Sequence, residues 1–222
     1  MPDIYISDAS HDGTITKSGA DHATAHDASS GIADTNDTSD GDAIEYVKTS
    51  RTTSIRRAFF KFDTSGVTNS PASATLKIYG YGETTADIIV VASDAFTNSG
   101  ALQGDDYNNI DVSTPYSSQI TTWSTSGHND IALNSAARKE MSDEDDFILA
   151  IIEHDYDYSD SAPAGATQTS ETGVYFTDQA LVTFDPYIEY SNIGDLMGTD
   201  ITTISTVTGV AVAYIGKVIG VE

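Results

Sequence analysis

Arg56-Arg57-Ala58-Phe59-Phe60-Lys61-Phe62-Asp63 is the stretch on which the reading of the fold turns. Side chains of a β-strand point alternately to its two faces. Ala58, Phe60 and Phe62 therefore share one face, and Arg57, Phe59 and Lys61 share the other. Just before it, Ala43-Ile44-Glu45-Tyr46-Val47-Lys48 alternates less cleanly and reads as the other half of a strand pair. Just after it, the turn-rich residues 64–73 lead into Ala74-Thr75-Leu76-Lys77-Ile78-Tyr79-Gly80-Tyr81. There Ala74, Leu76 and Ile78 oppose Thr75, Lys77 and Tyr79 with a period of two.

The pattern continues in both directions. Ile4-Tyr5-Ile6 opens the chain as a strand, and the polar stretch that follows, ending in Asp34–Asp42, reads as loops over a sheet edge. Residues 87–96 and 128–133 read as strands, and Ser135–Met141 as one short helix. Phe147-Ile148-Leu149-Ala150-Ile151-Ile152-Glu153 is a continuous apolar run, which predicts a central strand buried on both faces. Gly173–Phe176 and Pro186–Tyr190 close the series. The polar segments 97–127 and 154–172 read as long loops. Many short strands separated by turn signals predict an all-β fold, an antiparallel jelly-roll β-sandwich over residues 1–191.

Residues 192–222 form a separate unit. An 11-residue repeat runs Ile193-x-x-Leu196-x-Gly198, Ile204-x-x-Val207-x-Gly209-Val210 and Ile215-x-x-Val218-x-Gly220-Val221. Each copy is too small to bury its own apolar face, so the copies are expected to pack on one another, on the sandwich or on another chain. This makes Ile193, Leu196, Ile204, Val207, Val210, Ile215, Val218 and Val221 the candidate oligomerisation residues.

Composition narrows the function. There are 34 acidic against 10 basic residues, a formal net charge of −24. Binding to nucleic acid needs clustered Lys and Arg, and anionic lipid repels such a surface, so neither partner is expected. Self-repulsion is screened within about 3 Å at 1 M salt, which suits a marine or halophilic setting, and general solubility is the plainer reading. Cysteine is absent, which excludes disulfides and thiolate metal sites. The N-terminal stretch lacks the basic and apolar regions of a secretory signal, and no run of 18 apolar residues would span a membrane.

Three blocks resemble the DNRLRE domain family, jelly-roll sandwiches of microbial surface proteins, secreted glycan-active proteins and some phage proteins. They are Arg57-Ala58-Phe59-Phe60-Lys61-Phe62-Asp63, Ala74-Thr75-Leu76-Lys77-Ile78-Tyr79, and the ending Val174-Tyr175-Phe176-Thr177 with Asp185-Pro186-Tyr187-Ile188-Glu189-Tyr190. The family's Trp-Thr-Trp stretch is present only in part, as Thr121-Thr122-Trp123. The resemblance implies a scaffold or a glycan-contacting role and no reaction. The repeat tail is similar to C-terminal segments of tailed-phage structural proteins.

No catalytic site is read from the sequence. There is no Gly-x-Ser-x-Gly motif, no phosphate-binding loop, and no thiol beside a histidine. His22 and His26 have the four-residue spacing of a helical zinc pair, but their surroundings read as loop. Calcium is the metal better suited to this composition, with Asp34, Asn36, Asp37, Asp40 and Asp42 as its candidate ligands. Asp143–Asp146 is a second acidic run and reads as a solvated turn. Tyr107, Tyr116, Trp123, Tyr156 and Tyr158 fall in the long loops, where they would either stack on a glycan or pin the loops to the sandwich. Pinning is the favoured reading for Trp123. The function expected is a non-enzymatic virion structural protein, a capsid-decoration or fibre-type subunit. It would be a homo-oligomer, with a trimer favoured, contacting other virion proteins and a host-surface glycan and requiring no cofactor. A carbohydrate-binding module or a cell-surface adhesin or filament subunit, in an extracellular setting, is the alternative.

Overall fold

A computed structural model of the chain describes residues 1–36, 38–85, 87–96, 100–178 and 180–192. Asp37 and all eight candidate oligomerisation residues from Ile193 to Val221 lie outside the described residues. The strands are β1 (Asp3–Tyr5), β2 (Asp12–Gly19), β3 (Ile32–Asp34), β4 (Ser39–Lys48), β5 (Thr53–Asp63), β6 (Ser73–Thr84), β7 (Ile88–Ser93), β8 (Ile110–Pro115), β9 (His128–Ala132), β10 (Asp146–Glu153), β11 (Gln168–Tyr175) and β12 (Tyr187–Ser191). Two α-helices, α1 (His22–His26) and α2 (Ser135–Asp143), join a 3₁₀ turn at Gly104–Asn108 and a π-helical turn at His154–Tyr158. The fold is all-β and every strand pairing is antiparallel. No helix among the described residues is long and apolar enough to cross a membrane.

Strand β5 is the hub. It pairs with β2 over Thr53–Phe60, with β4 over Thr53–Arg56, and with β10 over Ala58–Asp63. β10 passes the sheet on to β7 and β7 to β8, while β4 passes it to β11. A second group is ordered β1-β12-β6-β9. β6 belongs to both groups: Ser73–Tyr79 pairs with β12 and β9, and Gly80 and Tyr81 pair with β11. The corner needs glycine. A Cβ on Gly80 would come within 1.9 Å of the Ser124 carbonyl oxygen, and one on Gly173 within 2.0 Å of that of Tyr81.

The alternation of β5 sorts its side chains into two cores. Ala58, Phe60 and Phe62 enter the core between the two strand groups, with Leu76, Ile78, Leu149, Ile151 and Ile188. Phe59 enters a second core on the opposite face of the β5 sheet, with Ile15, Ile55, Val91, Ala150 and Ile152. The apolar run of β10 divides in the same way, with Phe147, Leu149 and Ile151 on one side and Ala150 and Ile152 on the other, so this strand is buried on both faces as its sequence predicts. Fully burying one such side chain contributes about 1.5–3 kcal/mol.

Three segments read as loops are structured. Residues 7–42 hold β2, α1, β3 and the start of β4, residues 97–127 hold the 3₁₀ turn and β8, and residues 154–172 hold the π-helical turn and the start of β11. β2 escapes an apolar count because Ile15 is its one large apolar core residue, the ladder to β5 supplies much of the rest, and its buried positions include Asp12 and Thr14. The covers of the second core escape for a related reason. They are short turns whose few apolar residues, such as Ala25 and Tyr107, sit among polar ones.

A guanidinium lies inside. Arg57, on the Phe59 side of β5, is 1% exposed. Its Nε donates to Asp157 Oδ2 at 2.9 Å and its Nη2 to Asp157 Oδ1 at 2.6 Å. Nη1 donates to the Tyr107 carbonyl at 2.7 Å, and the guanidinium carbon stands 4.1 Å over the Tyr107 ring. Burial opposes the Arg57 charge, but the Asp157 carboxylate outweighs it and the pKa is raised. Removing one partner of such a pair leaves the other buried and uncompensated, at a cost of about 3–5 kcal/mol. Arg57→Ala and Asp157→Ala are each expected to lower the urea-unfolding free energy by about that amount. A loss below about 1 kcal/mol in both would show that the clamp does not hold the cover on the sheet.

Candidate binding face

The outward face of the β1-β12-β6-β9 group carries a chain of aromatic rings. Register puts Tyr5 opposite Tyr187 and Tyr79 opposite His128, while the alternate residues Ile188, Leu76, Ile78 and Ile131 point into the core. Tyr5 stacks on Tyr187 at 5.1 Å, His128 meets the edges of Tyr187 and Tyr79 at 5.2 Å each, and Tyr79 meets Phe184 at 4.6 Å and Tyr175 at 5.4 Å. Tyr175 continues the chain to Tyr81 at 4.9 Å. Most of these rings are half-buried by one another, but Tyr5 is 48% and Tyr81 38% exposed, and Leu181 and Val182 beside Phe184 are 62% and 74% exposed. Lys77 stands next to the chain, held by Asp130 at 2.8 Å and Glu189 at 3.5 Å. Aromatic residues of this amphipathic kind are enriched where proteins meet partners. The period-two reading of Ala74–Tyr81 places Tyr79 on this face, with Tyr81 two residues on in the same strand, but the other rings come from β1, β9, β11, β12 and a turn, and only the tertiary fold brings them together.

The aromatics expected to form a loop platform do something else. Tyr107 is fully buried beneath Arg57, and its hydroxyl donates to the Ala25 carbonyl at 3.0 Å. Tyr116 is fully buried, stacks on Phe147 at 5.3 Å, and its hydroxyl donates to the Glu140 carboxylate. These two corrections share a cause: a buried Tyr whose O–H finds a partner costs little and is indistinguishable in sequence from an exposed one. Trp123 is half-buried and pins its loop, with Nε1 donating to the Gly173 carbonyl at 3.0 Å. Tyr156 packs on Tyr46 at 4.8 Å and Tyr158 stacks on His154 at 5.4 Å, both against the second core.

Among the described residues, the expected calcium ligands Asp34, Asn36, Asp40 and Asp42 do not converge on one site. Asp34 closes β3 and accepts from the Asn36 N–H at 3.0 Å. Asp40 and Asp42 lie in β4, where Arg56 Nη1 donates to both, at 2.7 Å to Asp42. The guanidinium of Arg56 thus occupies the place between these two carboxylates. The second acidic run is partly paired: Asp143 takes Lys139 one helical turn away, and Asp146 takes Lys61 at 2.9 Å. Among the described residues, ligand-type side chains converge in two other groups, His22–His26–Asp160 and Asp87–His154–Asp155. His22 and His26 lie on a helix, contrary to the loop reading of their surroundings, because Asp21 caps it by accepting from the Thr24 N–H and Ala25 is buried beneath it. Neither protein-family models nor curated proteins give a match to this chain.

Several carboxyls are held in protonatable surroundings. Burial raises Asp12 to about 7, against the pull of the Thr177 N–H and hydroxyl, both at 2.9 Å. Burial, then the neighbouring Asp42 carboxyl, raises Asp40 to about 6 and Glu45 to about 7. Each binds its proton more tightly folded than unfolded, so its stabilisation is complete below the unfolded value near 4 and is lost as pH rises through about 6 to 7. His128, pulled down by burial, acts in the opposite sense. Burial also raises Glu140, Glu153, Asp178 and Asp185, so the raised carboxyls outnumber it. The urea midpoint at fixed ionic strength is expected to fall between pH 5 and pH 8, and Asp12→Asn to remove on the order of 1 kcal/mol or more of that dependence. A midpoint that rises over this range would contradict the assignment.

Proposed function

We propose that this chain is a non-enzymatic structural subunit of a virus particle, of the capsid-decoration or fibre type, that assembles with other copies of itself and with neighbouring particle proteins. The observation that carries the reading is the uncovered aromatic and apolar face on the β1-β12-β6-β9 group. β12, which supplies Tyr187 to that face, also leads directly into the 11-residue repeat. Two contact elements, the face and the tail, are thus joined through one strand in the sequence. Apolar area removed from water contributes roughly 25 cal/mol per Å², and a stable contact buries about 800 Å² on each partner. A face of partly exposed Tyr, Leu and Val with a repeating apolar tail supplies surface of this kind. The highly acidic remainder discourages contacts elsewhere.

The resemblance to DNRLRE domains fits a scaffold role equally well. The glycan-binding alternative loses support, because the loop aromatics that would stack on a sugar are buried or packed against protein. Closed symmetry is the ordinary outcome for such subunits, and a trimer is the favoured form. A particle-borne location follows from this reading, with a cell surface as the other setting where such a subunit would serve.

Among the described residues both cores lie before Asn192, so a chain ending there is expected to keep its folded interior. Light scattering in high salt is expected to give a defined oligomer for the full chain and a folded monomer for the chain ending at Asn192. Leu181→Ser combined with Val182→Ser in the full chain is expected to weaken association at least tenfold while leaving unfolding unchanged. If the full chain and its truncation are both monomeric and equally stable, the assembly reading fails.

A further inference from the structure

We propose that His22, His26 and Asp160 form a binding site for one divalent first-row transition metal of the zinc class, with Asp27 able to complete the set. The site lies on the covered side of the β5 sheet, away from the aromatic face. Its two histidines project from one face of α1, four residues apart, and Asp160 follows the π-helical turn.

The first support is distance. His22 Nε2 lies 3.1 Å from Asp160 Oδ1, and His26 Nδ1 lies 3.4 Å from the same oxygen. Metal–ligand bonds of 2.0–2.1 Å in tetrahedral geometry place neighbouring ligand atoms about 3.3 Å apart. Both edges bracket that value, and all three ligand atoms lie within 4.8 Å of one another. Asp27 Oδ1 is 2.6 Å from His26 Nδ1, so a fourth oxygen is at hand. The two rings stand 5.1 Å apart at 19°. Capture therefore turns each ring modestly about its Cβ–Cγ bond toward Asp160, on the side where Asp160 and Asp27 are about two-thirds exposed.

The second support is the outer shell. A metal-bound histidine normally engages its other ring nitrogen with a protein partner, which fixes its tautomer and orientation. Both histidines do so. His22 Nδ1 faces the hydroxyl of buried Tyr46 at 3.1 Å, and His26 Nε2 donates to the Asp157 carbonyl at 2.9 Å. Asp157 is itself fixed by Arg57, so the shell is anchored to the hub strand.

The third support is proton counting. With Nε2–H committed to the Asp157 carbonyl, a neutral His26 presents a lone pair at Nδ1 to two carboxylate oxygens. The arrangement calls for a cation there. One divalent ion satisfies His26 Nδ1, His22 Nε2 and both carboxylates together, whereas without it His26 must take up a second ring proton to face them, His22 being satisfied as the neutral Nε2–H tautomer. Imidazole ligands select zinc-class ions over calcium, which takes oxygen. Asp160 has φ 45°, in the left-handed region that few residues other than glycine adopt, and it is this conformation that accompanies the approach of its carboxylate to both rings. The bound ion would tie α1 to the segment after the π-helical turn.

The test uses the full chain, stripped with a chelator and titrated with Co²⁺ and then Zn²⁺ in excess Ca²⁺, which occupies surface carboxylates. One Co²⁺ per chain is expected, with the intense visible bands of tetrahedral coordination, displaced by one Zn²⁺. His26→Gln and Asp160→Asn are each expected to weaken binding more than tenfold and to abolish the rise in melting temperature that Zn²⁺ gives the unmodified chain. Asp160 is exposed, so Asp160→Asn stays informative should His26→Gln not fold. Weak binding of several ions, unchanged in Asp160→Asn, would assign the metal to the acidic surface and overturn the proposal. Melting that follows pH through the histidine range and ignores metal would equally overturn it, in favour of protons shared by the pair.

Discussion

A guanidinium with no access to water governs this molecule. Arg57 lies on a strand both of whose faces are buried, and among the described residues no second sheet covers the face it occupies. That face is closed by pieces too small to fold alone: the five-residue helix α1, a 3₁₀ turn and a π-helical turn. Short elements of this kind cannot hold themselves by local hydrogen bonding. Arg57 gives them a common anchor. It binds the π-helical turn through Asp157 and the 3₁₀ turn through the Tyr107 carbonyl. Helix α1 is then secured at second hand, by Tyr107 Oη–H to the Ala25 carbonyl and by His26 to the Asp157 carbonyl. Glu153 completes the turn by accepting from the N–H groups of Tyr156 and Asp157 at 2.7 and 3.2 Å. A hydrophobic residue at position 57 would fill the volume but could not collect these ends.

That dependence explains what could be read from sequence. β5, β6 and β10 announce themselves because their apolar residues alternate or run together, and the two cores follow from which residues share parity. β2 does not, since Asp12, Gly13, Thr14 and Thr16 resemble loop residues until β5 pairs with them. Arg57 reads as the polar member of an alternating strand, an outward residue by every local rule. Its burial depends on Asp157, 100 positions away, and no pattern in a window of neighbours contains that pairing. The same holds for the histidines. Their spacing is visible, but the helix that makes the spacing meaningful rests on Asp21 as a cap and on a buried Ala25, and Asp160 is 138 residues from His22. Tyr107 and Tyr116 misled for the opposite reason, since each lies in a polar segment while its ring is buried and its hydroxyl is bonded inside.

The charge distribution adds a second constraint. A chain of net charge −24 repels itself, and its interior holds carboxyls that favour their protonated form. Surface and interior therefore respond to acid in the same direction. Few cations are free to relieve the repulsion: among the described residues Arg56, Arg57, Lys61, Lys77 and Lys139 are each engaged by a carboxylate. Added salt screens the surface but does not reach Asp12, which is buried, so ionic strength and pH act on separable parts of the stability.

The two sides of the sandwich are consequently different kinds of surface. On the Arg57 side, polar groups are spent on one another: carboxylate on guanidinium, hydroxyl on carbonyl, imidazole on carbonyl. Such a network is rigid when complete and costly when any member is missing. On the β1-β12-β6-β9 side, the rings touch each other and leave edges and apolar neighbours in water, and among the described residues no fully buried ion pair like that of Arg57 fixes them. A partner can cover that face without breaking any internal bond, whereas it could enter the opposite side only by dismantling the cover that holds the fold. The asymmetry would direct the proposed association to the aromatic side and leave the Arg57 side to hold the fold, because a buried arginine on β5 ties its own cover down while nothing of the kind is asked of the rings.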